Sequence, residues 1–276
     1  MPLNGNGWSP RNVIRFTQSF GTAAGTARID TDAGEGYIKA LGNAEGPHIL
    51  ACELVGSLLA DWLGLSTLDF SLIDVTADDE IPFHGGGIAN PGPAFISRAE
   101  QGITWGGTSN ELKTVHNQLD ISGLVILDTW VRNCDRYAPE GVRVNRDNVF
   151  FVQYPRNTKE VLLKAIDFTH AFTCGRELNR QLGFIDNVRD ERIYGLFPEL
   201  VGFLNREEVR RLAARLGEFG WPIAAEFIAQ VPNEWEVDNQ TRSIWATMIA
   251  ERAQFVSEMI EARLWPQQEF HEGGTV

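Results

Sequence analysis

The hydrophobic pattern changes period at Pro47 and shifts its balance again near Gln101, and this limits the folds open to the chain more than any other feature. Before Pro47, the short β-rich runs Val13–Phe16, Ala27–Ile29 and Tyr37–Leu41 are separated by turn-forming stretches, Ser19–Thr26 and Asp32–Gly36. That is the pattern of hairpins. From Pro47 to Gly64, Leu50, Leu54 and Leu58, with Val55, Leu59 and Trp62, recur at helical spacing. Proline suits a first helical position and glycine a helix end. Residues 68–76 and 94–98 return to strand composition around the acidic, Gly/Pro-rich loop Asp78–Gly92. After Gln101 helices dominate. One is capped by Asp120 or Ser122 and runs to Arg132, and 176–264 reads as helices, clearest at Arg206–Leu216 and Ile244–Leu264. Val149–Val152 and Val161–Ile166 form one inserted hairpin. The expectation is an α+β fold of two lobes, a β-rich lobe with one helix over 1–100 and an α-rich lobe over 101–276. A ligand cleft would lie between them. Residues 1–12 and 266–276 are expected to fray.

Composition narrows the partners. With 43% hydrophobic residues over 276, the chain can build a sizeable core. The 24 basic and 37 acidic residues leave a net charge of −13, which disfavours nucleic acid and anionic membrane surfaces. Cys52, Cys134 and Cys174 are odd in number and far apart, so neither a disulfide framework nor a zinc spacing is read, as suits a reducing compartment. There is no signal-peptide pattern and no apolar run of membrane-spanning length. The expected setting is cytoplasmic.

Four pieces carry chemistry. They are the small-residue turn Gly21-Thr22-Ala23-Ala24-Gly25, Lys39 inside an apolar strand, Glu53 on the following helix, and a pair of acidic loops. The loops are Asn133-Cys134-Asp135-Arg136 with Asn145-Arg146-Asp147-Asn148, and Ala165-Ile166-Asp167-Phe168. Each answers one need of phosphoryl transfer. Small residues let backbone N–H groups approach phosphate, a lysine neutralises it, and a glutamate holds the lysine. One carboxylate takes the proton of the attacking hydroxyl, while an Asn and a second Asp hold Mg²⁺.

On these residues, over roughly 13–260, the sequence resembles the HipA-like kinase family, within the superfamily that includes the phosphatidylinositol 3- and 4-kinases. Gly36-Tyr37-Ile38-Lys39, Glu53 and Leu63-Gly64-Leu65 are similar to its N-lobe, and the two acidic loops to its catalytic and metal loops. Val231–Trp235 and Glu251-Arg252 are similar to its C-terminal helical region. The resemblance implies a bilobal protein-kinase-like fold using ATP and Mg²⁺. Lys39 and Glu53 would serve the nucleotide, with Gly21, Thr22, Ala23 and Gly25 over its phosphates. Asp135 would be the catalytic base, and Asn148 and Asp167 the metal ligands. The pattern departs in two places. Protein kinases place the metal Asn about five residues after the base, whereas here the interval runs from Asp135 to Asn148, so a stretch near 137–144 is extra. Asp167 is followed by Phe168-Thr169-His170 rather than Phe-Gly, which disfavours an inactivating flip.

Each residue also has a plainer reading. Lys39 could be a strand-face lysine, Glu53 a helix-surface residue, Asp135 a cap or an ion-pair partner, and Asp167 the start of a turn. Asn145 and Asp147 could be spare ligands or loop residues satisfying backbone groups. Arg98 reads as a salt bridge, and His170 as packing near Asp167. The leading function is a kinase acting on a hydroxyl, foremost Ser or Thr of a protein. Alternatives are a phosphoinositide or small-molecule kinase, nucleotidyl transfer, and a nucleotide-binding module without turnover. A regulatory partner protein is possible on the same resemblance.

Overall fold

In the computed structural model, which describes residues 7–157 and 159–266, the first hairpins form as the turn chemistry dictates. β1 (Val13–Ser19), β2 (Ala27–Thr31) and β3 (Gly34–Lys39) are antiparallel neighbours. β4 (Phe70–Val75) and β5 (Gly92–Arg98) complete a five-stranded sheet of order β1-β2-β3-β5-β4. Alternation sets its two faces. Ile38 pairs with Ile96 and packs, with Ile29 and Ile73, in a core closed by Trp8, Ile81 and Phe83. On the opposite face Lys39 pairs with Phe95.

Between β3 and β4 runs α1 (His48–Leu63), ended by Gly64 in the left-handed region at φ 90°. The expected leucine stripe is there, yet nearly every residue from Ile49 to Ala60 is buried. The helix lies between the sheet and the helical lobe, where each fully buried leucine contributes about 1.5–3 kcal/mol. Gly56 is required at this junction: a Cβ there would stand 2.3 Å from Cβ of Phe168.

The second lobe begins with a short strand the sequence did not announce, β6 (Gly102–Thr104), which joins β7 (Val149–Gln153) and β8 (Val161–Ala165) in a three-stranded sheet. Its helices are α2 (Ser109–Leu112), α3 (Leu119–Val131), α4 (Ile185–Val188), α5 (Arg206–Gly217), α6 (Trp221–Ile228) and α7 (Asn239–Leu264). The lobe boundary expected at 100/101 falls in the connection from β5 to β6.

Three expectations are corrected. Neither Asp120 nor Ser122 caps α3; Asp120 accepts from the Ser66 amide at 3.1 Å and the Asn117 side chain at 2.7 Å. Residues 176–205 are mostly 3₁₀ turns and loops around the single-turn α4, not a run of helices. The centre of this stretch is held by tertiary contacts. Arg252 of α7, wholly buried, donates to the backbone carbonyls of Asn187, Val188 and Asp190, and to Thr129 and Trp130 at the end of α3. Finally, Cys134 and Cys174 are paired as a disulfide, with Cα atoms 5.6 Å apart, and only Cys52 is a free thiol. Of the ends expected to fray, 1–12 and 266–276, residues 1–6 and 267–276 lie outside the described residues, while Trp8 is tied down, buried in the sheet core with its indole donating to the Ala33 carbonyl at 3.0 Å.

Candidate active site

A cavity of ≈ 470 Å³ opens between the five-stranded sheet and the β7–β8 hairpin. Phe20, Tyr37 and Phe95 from the sheet and Phe150 and Ile166 from the hairpin side supply apolar walls. Lys39, Glu53, Asp147, Asn148 and Asp167 supply the charged and amide groups, and Thr22, Thr26, Ser97 and Thr104 add hydroxyls, so Asp147, left open by the sequence, lines the cavity. A cavity of this size that joins aromatic walls to charged groups has the form of a small-molecule site.

Lys39 is fixed by the end of β3, which leaves its side chain on the face toward α1. There Nζ donates to Glu53 Oε2 at 3.0 Å and to Asp167 Oδ1 at 3.2 Å. Burial alone would lower the lysine pKa; Asp167 and Glu53 together outweigh it and raise the value, so Lys39 is a cation. Glu53 also accepts from the Phe168 amide at 2.8 Å. One carboxylate on α1 thereby ties a strand of the first lobe to the Asp167 loop of the second. Asp167 adopts a left-handed backbone, φ 60°, unusual for a residue with a side chain. Its Oδ1 accepts from the Thr169 hydroxyl at 2.7 Å, which holds the turn. Burial would raise the Asp167 pKa, but Lys39 and Thr169 hold it below the ordinary carboxylate range.

Asp135 follows the end of α3, where Arg132 takes a left-handed conformation. Asp128, one face up the helix and wholly buried, shapes the loop. Its Oδ2 accepts from Arg136 Nε at 2.8 Å and its Oδ1 from the Asn133 side chain at 3.1 Å. Arg136 in turn donates to the Ile166 carbonyl at 2.9 Å, locking this loop to the Asp167 loop. Asp135 Oδ2 accepts from Asn148 at 2.8 Å and Asn145 at 3.1 Å. Its Oδ1 meets Arg143 Nη2 at 2.7 Å, and His170 Nδ1 lies 3.6 Å from Oδ2. Burial opposes the charge on Asp135, but His170, Asn148 and Arg143 keep the pKa well below the carboxylate range. The hydrogen bond with Asp135 raises that of His170.

Of the residues read from the sequence, Lys39, Glu53, Asn148 and Asp167 line one hollow, while Asp135 is not among its lining and meets it through the hydrogen bond from Asn148. The small-residue turn divides. Thr22 lines the cavity with Phe20 and Thr26, while Gly21, Ala23 and Gly25 are not among the lining residues. Gly25, at φ 65°, turns the chain against the Phe83 ring, and the turn is closed by its amide on the Thr22 carbonyl at 3.1 Å. Arg98 pairs with Asp69 at 3.4 Å, as the plainer reading has it. Sequence reasoning missed Asp128 and Arg143 and left Asn145 and His170 without a role. Asp128 had one available signal: it is a carboxylate among the apolar residues of α3.

Among the described residues no three His, Cys, Asp or Glu side chains gather as a closed metal cage. Asp167, with a carboxylate, and Asn148, whose amide nitrogen is committed to Asp135 and leaves its oxygen available, both line the cavity and would offer a sparse oxygen set. That suits Mg²⁺, which keeps several waters and shares phosphate oxygens.

Comparison with known proteins agrees with this architecture. CtkA, a proinflammatory kinase from Helicobacter pylori, has the same fold, with a TM-score of 0.61 at 14% identity over 93% of this chain and 98% of that one. The PknI kinase domain of Mycobacterium tuberculosis aligns over 91% of this chain and 96% of that one at 13% identity, but its TM-score of 0.30 is too low to carry an argument. No curated protein sequence matches the chain. A sequence profile described as HipA-like kinase matches residues 30–268, most of the length. The bilobal architecture and this match converge: the chain is a kinase and belongs to the HipA-like kinase family.

Proposed function

We propose that this kinase transfers the γ-phosphate of ATP, with Mg²⁺, to a hydroxyl, foremost that of a Ser or Thr on a protein. The observation that carries the reading is Lys39 held at 3.0 Å by Glu53 and 3.2 Å by Asp167, at the polar end of a cavity with apolar walls. A buried cation so placed has work beyond stability, because it can meet the triphosphate while its own carboxylate partners fix its position. The walls formed by Tyr37, Phe95, Phe150 and Ile166 accept the adenine ring. Thr22, with the rest of the Gly21–Gly25 turn, closes over the phosphates. Asn148 and Asp167 hold Mg²⁺, which when bound neutralises charge on the β- and γ-phosphate oxygens. Asp135 aligns the acceptor hydroxyl and receives its proton, a contribution of roughly 10²–10⁴-fold.

The division into lobes 1–100 and 101–276 gives the two walls of this cleft. A net charge of −13 weighs against phosphoinositide surfaces and nucleic acid and so favours a protein acceptor. The setting that fits an ATP donor is cytoplasmic. Transfer of label from γ-labelled ATP to dephosphorylated casein, to phosphoinositide vesicles and to the chain itself tests the reading. Asp135→Ala is expected to lose turnover with nucleotide binding nearly intact, and Asp167→Ala to weaken Mg·ATP binding. Transfer at the parental rate by both variants contradicts the assignment. Nucleotide binding with no transfer to any acceptor points instead to a binding module.

A further inference from the structure

The extra stretch between the base and the metal Asn is not a slack loop. Tyr137 and Val144 pair across its neck. The Asn145 amide donates to the Arg136 carbonyl at 2.9 Å, and the Ala138 amide to the Arg143 carbonyl at 3.0 Å. Pro139–Gly141 makes a single 3₁₀ turn at the tip. The backbone of Arg143 is therefore fixed, and its side chain reaches back onto the base, with Nη2 at 2.7 Å from Asp135 Oδ1. The other carboxylate oxygen is taken by the amides of Asn145 and Asn148. The acceptor hydroxyl must then approach the oxygen that Arg143 covers.

Arg143 is not buried as a structural tether would be. Its side chain is 52% exposed while that of Asp135 is 7% exposed. One nitrogen thus forms an ion pair with the base, whose Oδ1 has no hydrogen-bond partner, while the half-exposed side chain leaves other donors of the planar fork accessible. The charge balance of the cleft gives those donors a use. Lys39 is the one Lys or Arg among the described residues lining the cavity, and it is already divided between Glu53 and Asp167. No lining cation serves the acceptor side of the transferring group.

Resting on the reading under Proposed function, we propose that Arg143 is a catalytic residue, an arginine carried in cis by the 137–144 hairpin. It covers Asp135 before the acceptor arrives and turns onto the γ-phosphoryl oxygens in the transition state. The acceptor oxygen forms its bond to Pγ as the bond from Pγ to the β,γ-bridging oxygen breaks. ADP leaves with that electron pair, the hydroxyl proton passes to Asp135 Oδ1, and Asp135 later releases it to water. A planar guanidinium suits two oxygens of the phosphoryl group at once. Its departure from Asp135 also frees the carboxylate as the proton arrives.

The test compares wild type, Arg143→Ala and Arg143→Lys by calorimetry with Mg·AMP-PNP and with Mg·ADP plus aluminium fluoride, a mimic of the transferring phosphoryl group. Steady-state label transfer to casein or to the chain itself, whichever the wild type labels, runs in parallel. Arg143→Ala is expected to keep its melting temperature and its AMP-PNP affinity within about twofold. Its kcat should fall by roughly 10²–10³-fold, as for loss of one transition-state donor, with the aluminium fluoride complex weakened in parallel. Arg143→Lys should retain part of both, and millimolar guanidinium should restore part of the turnover of Arg143→Ala. Unchanged or faster turnover in Arg143→Ala, or undiminished aluminium fluoride affinity, overturns the role of Arg143 alone. Wild-type protein that binds no Mg·AMP-PNP overturns the nucleotide-site reading, and this inference with it.

Discussion

Lys39 is held between two carboxylates, so its removal tests electrostatics and site together. Lys39→Met leaves Glu53, almost wholly buried, facing Asp167 without a counter-charge. Breaking a buried pair in this way costs about 3–5 kcal/mol, and the lower end applies because Asp167 retains some exposure. Urea denaturation should show the loss, and adding Glu53→Gln should recover part of it; a single variant as stable as wild type would show that the pair carries no weight. His170 makes a second prediction at this scale. Its ring faces Asp135 and Glu45, with Arg143 opposing, and its pKa is raised above the ordinary 6.5. A raised value means the fold favours the protonated ring. The associated stability is complete below pH 6.5 and is lost as pH climbs through the raised value. The difference in melting temperature between wild type and His170→Gln should therefore shrink from about pH 6 to pH 9. A constant difference would mean that the ring acts by packing alone.

At the scale of elements, α1 is the part on which both lobes depend, and Gly56 is where it touches the Asp167 loop. Gly56→Ala drives a methyl into Phe168 and should cost about 1–3 kcal/mol, as overpacking does. Because Phe168 follows Asp167, turnover should fall further than stability alone explains; retained activity in a variant that is stably folded would contradict this. The Cys134–Cys174 link closes a sequence separation of 40, for which the chain-entropy model gives about 4 kcal/mol. Dithiothreitol should lower the melting temperature of wild type and leave Cys174→Ser unmoved. This is also the scale at which the sequence was most legible. The hairpins β1–β3, α1 with its Gly64 stop, the β7–β8 hairpin, and α5 and α7 follow from periodicity and turn chemistry, which are local. What escaped was decided at a distance. Within the irregular 176–205, the carbonyls of Asn187, Val188 and Asp190 are taken by Arg252, far along the chain. β6 is three exposed residues that form a strand through pairing with β7. The reach of Arg143 onto Asp135 depends on how the 137–144 hairpin folds back, which no periodicity encodes.

For the whole molecule, no helix among the described residues is long and apolar enough to cross a membrane. One hydrophobic core runs from α1 through α3 and α5 to α7, so the two lobes share packing as well as the Glu53 and Arg136 links. Such a molecule brings together side chains from β3, α1, the loop after α3 and the turn after β8. The proposed function requires that convergence to serve a nucleotide. A crystal structure with Mg²⁺ and AMP-PNP tests it most directly. The account predicts adenine against Tyr37 and Phe150, phosphate oxygens on Lys39, and the cation between Asn148 and Asp167. A nucleotide bound elsewhere, with the Lys39–Asp167 pair undisturbed and no cation at Asn148, would contradict it.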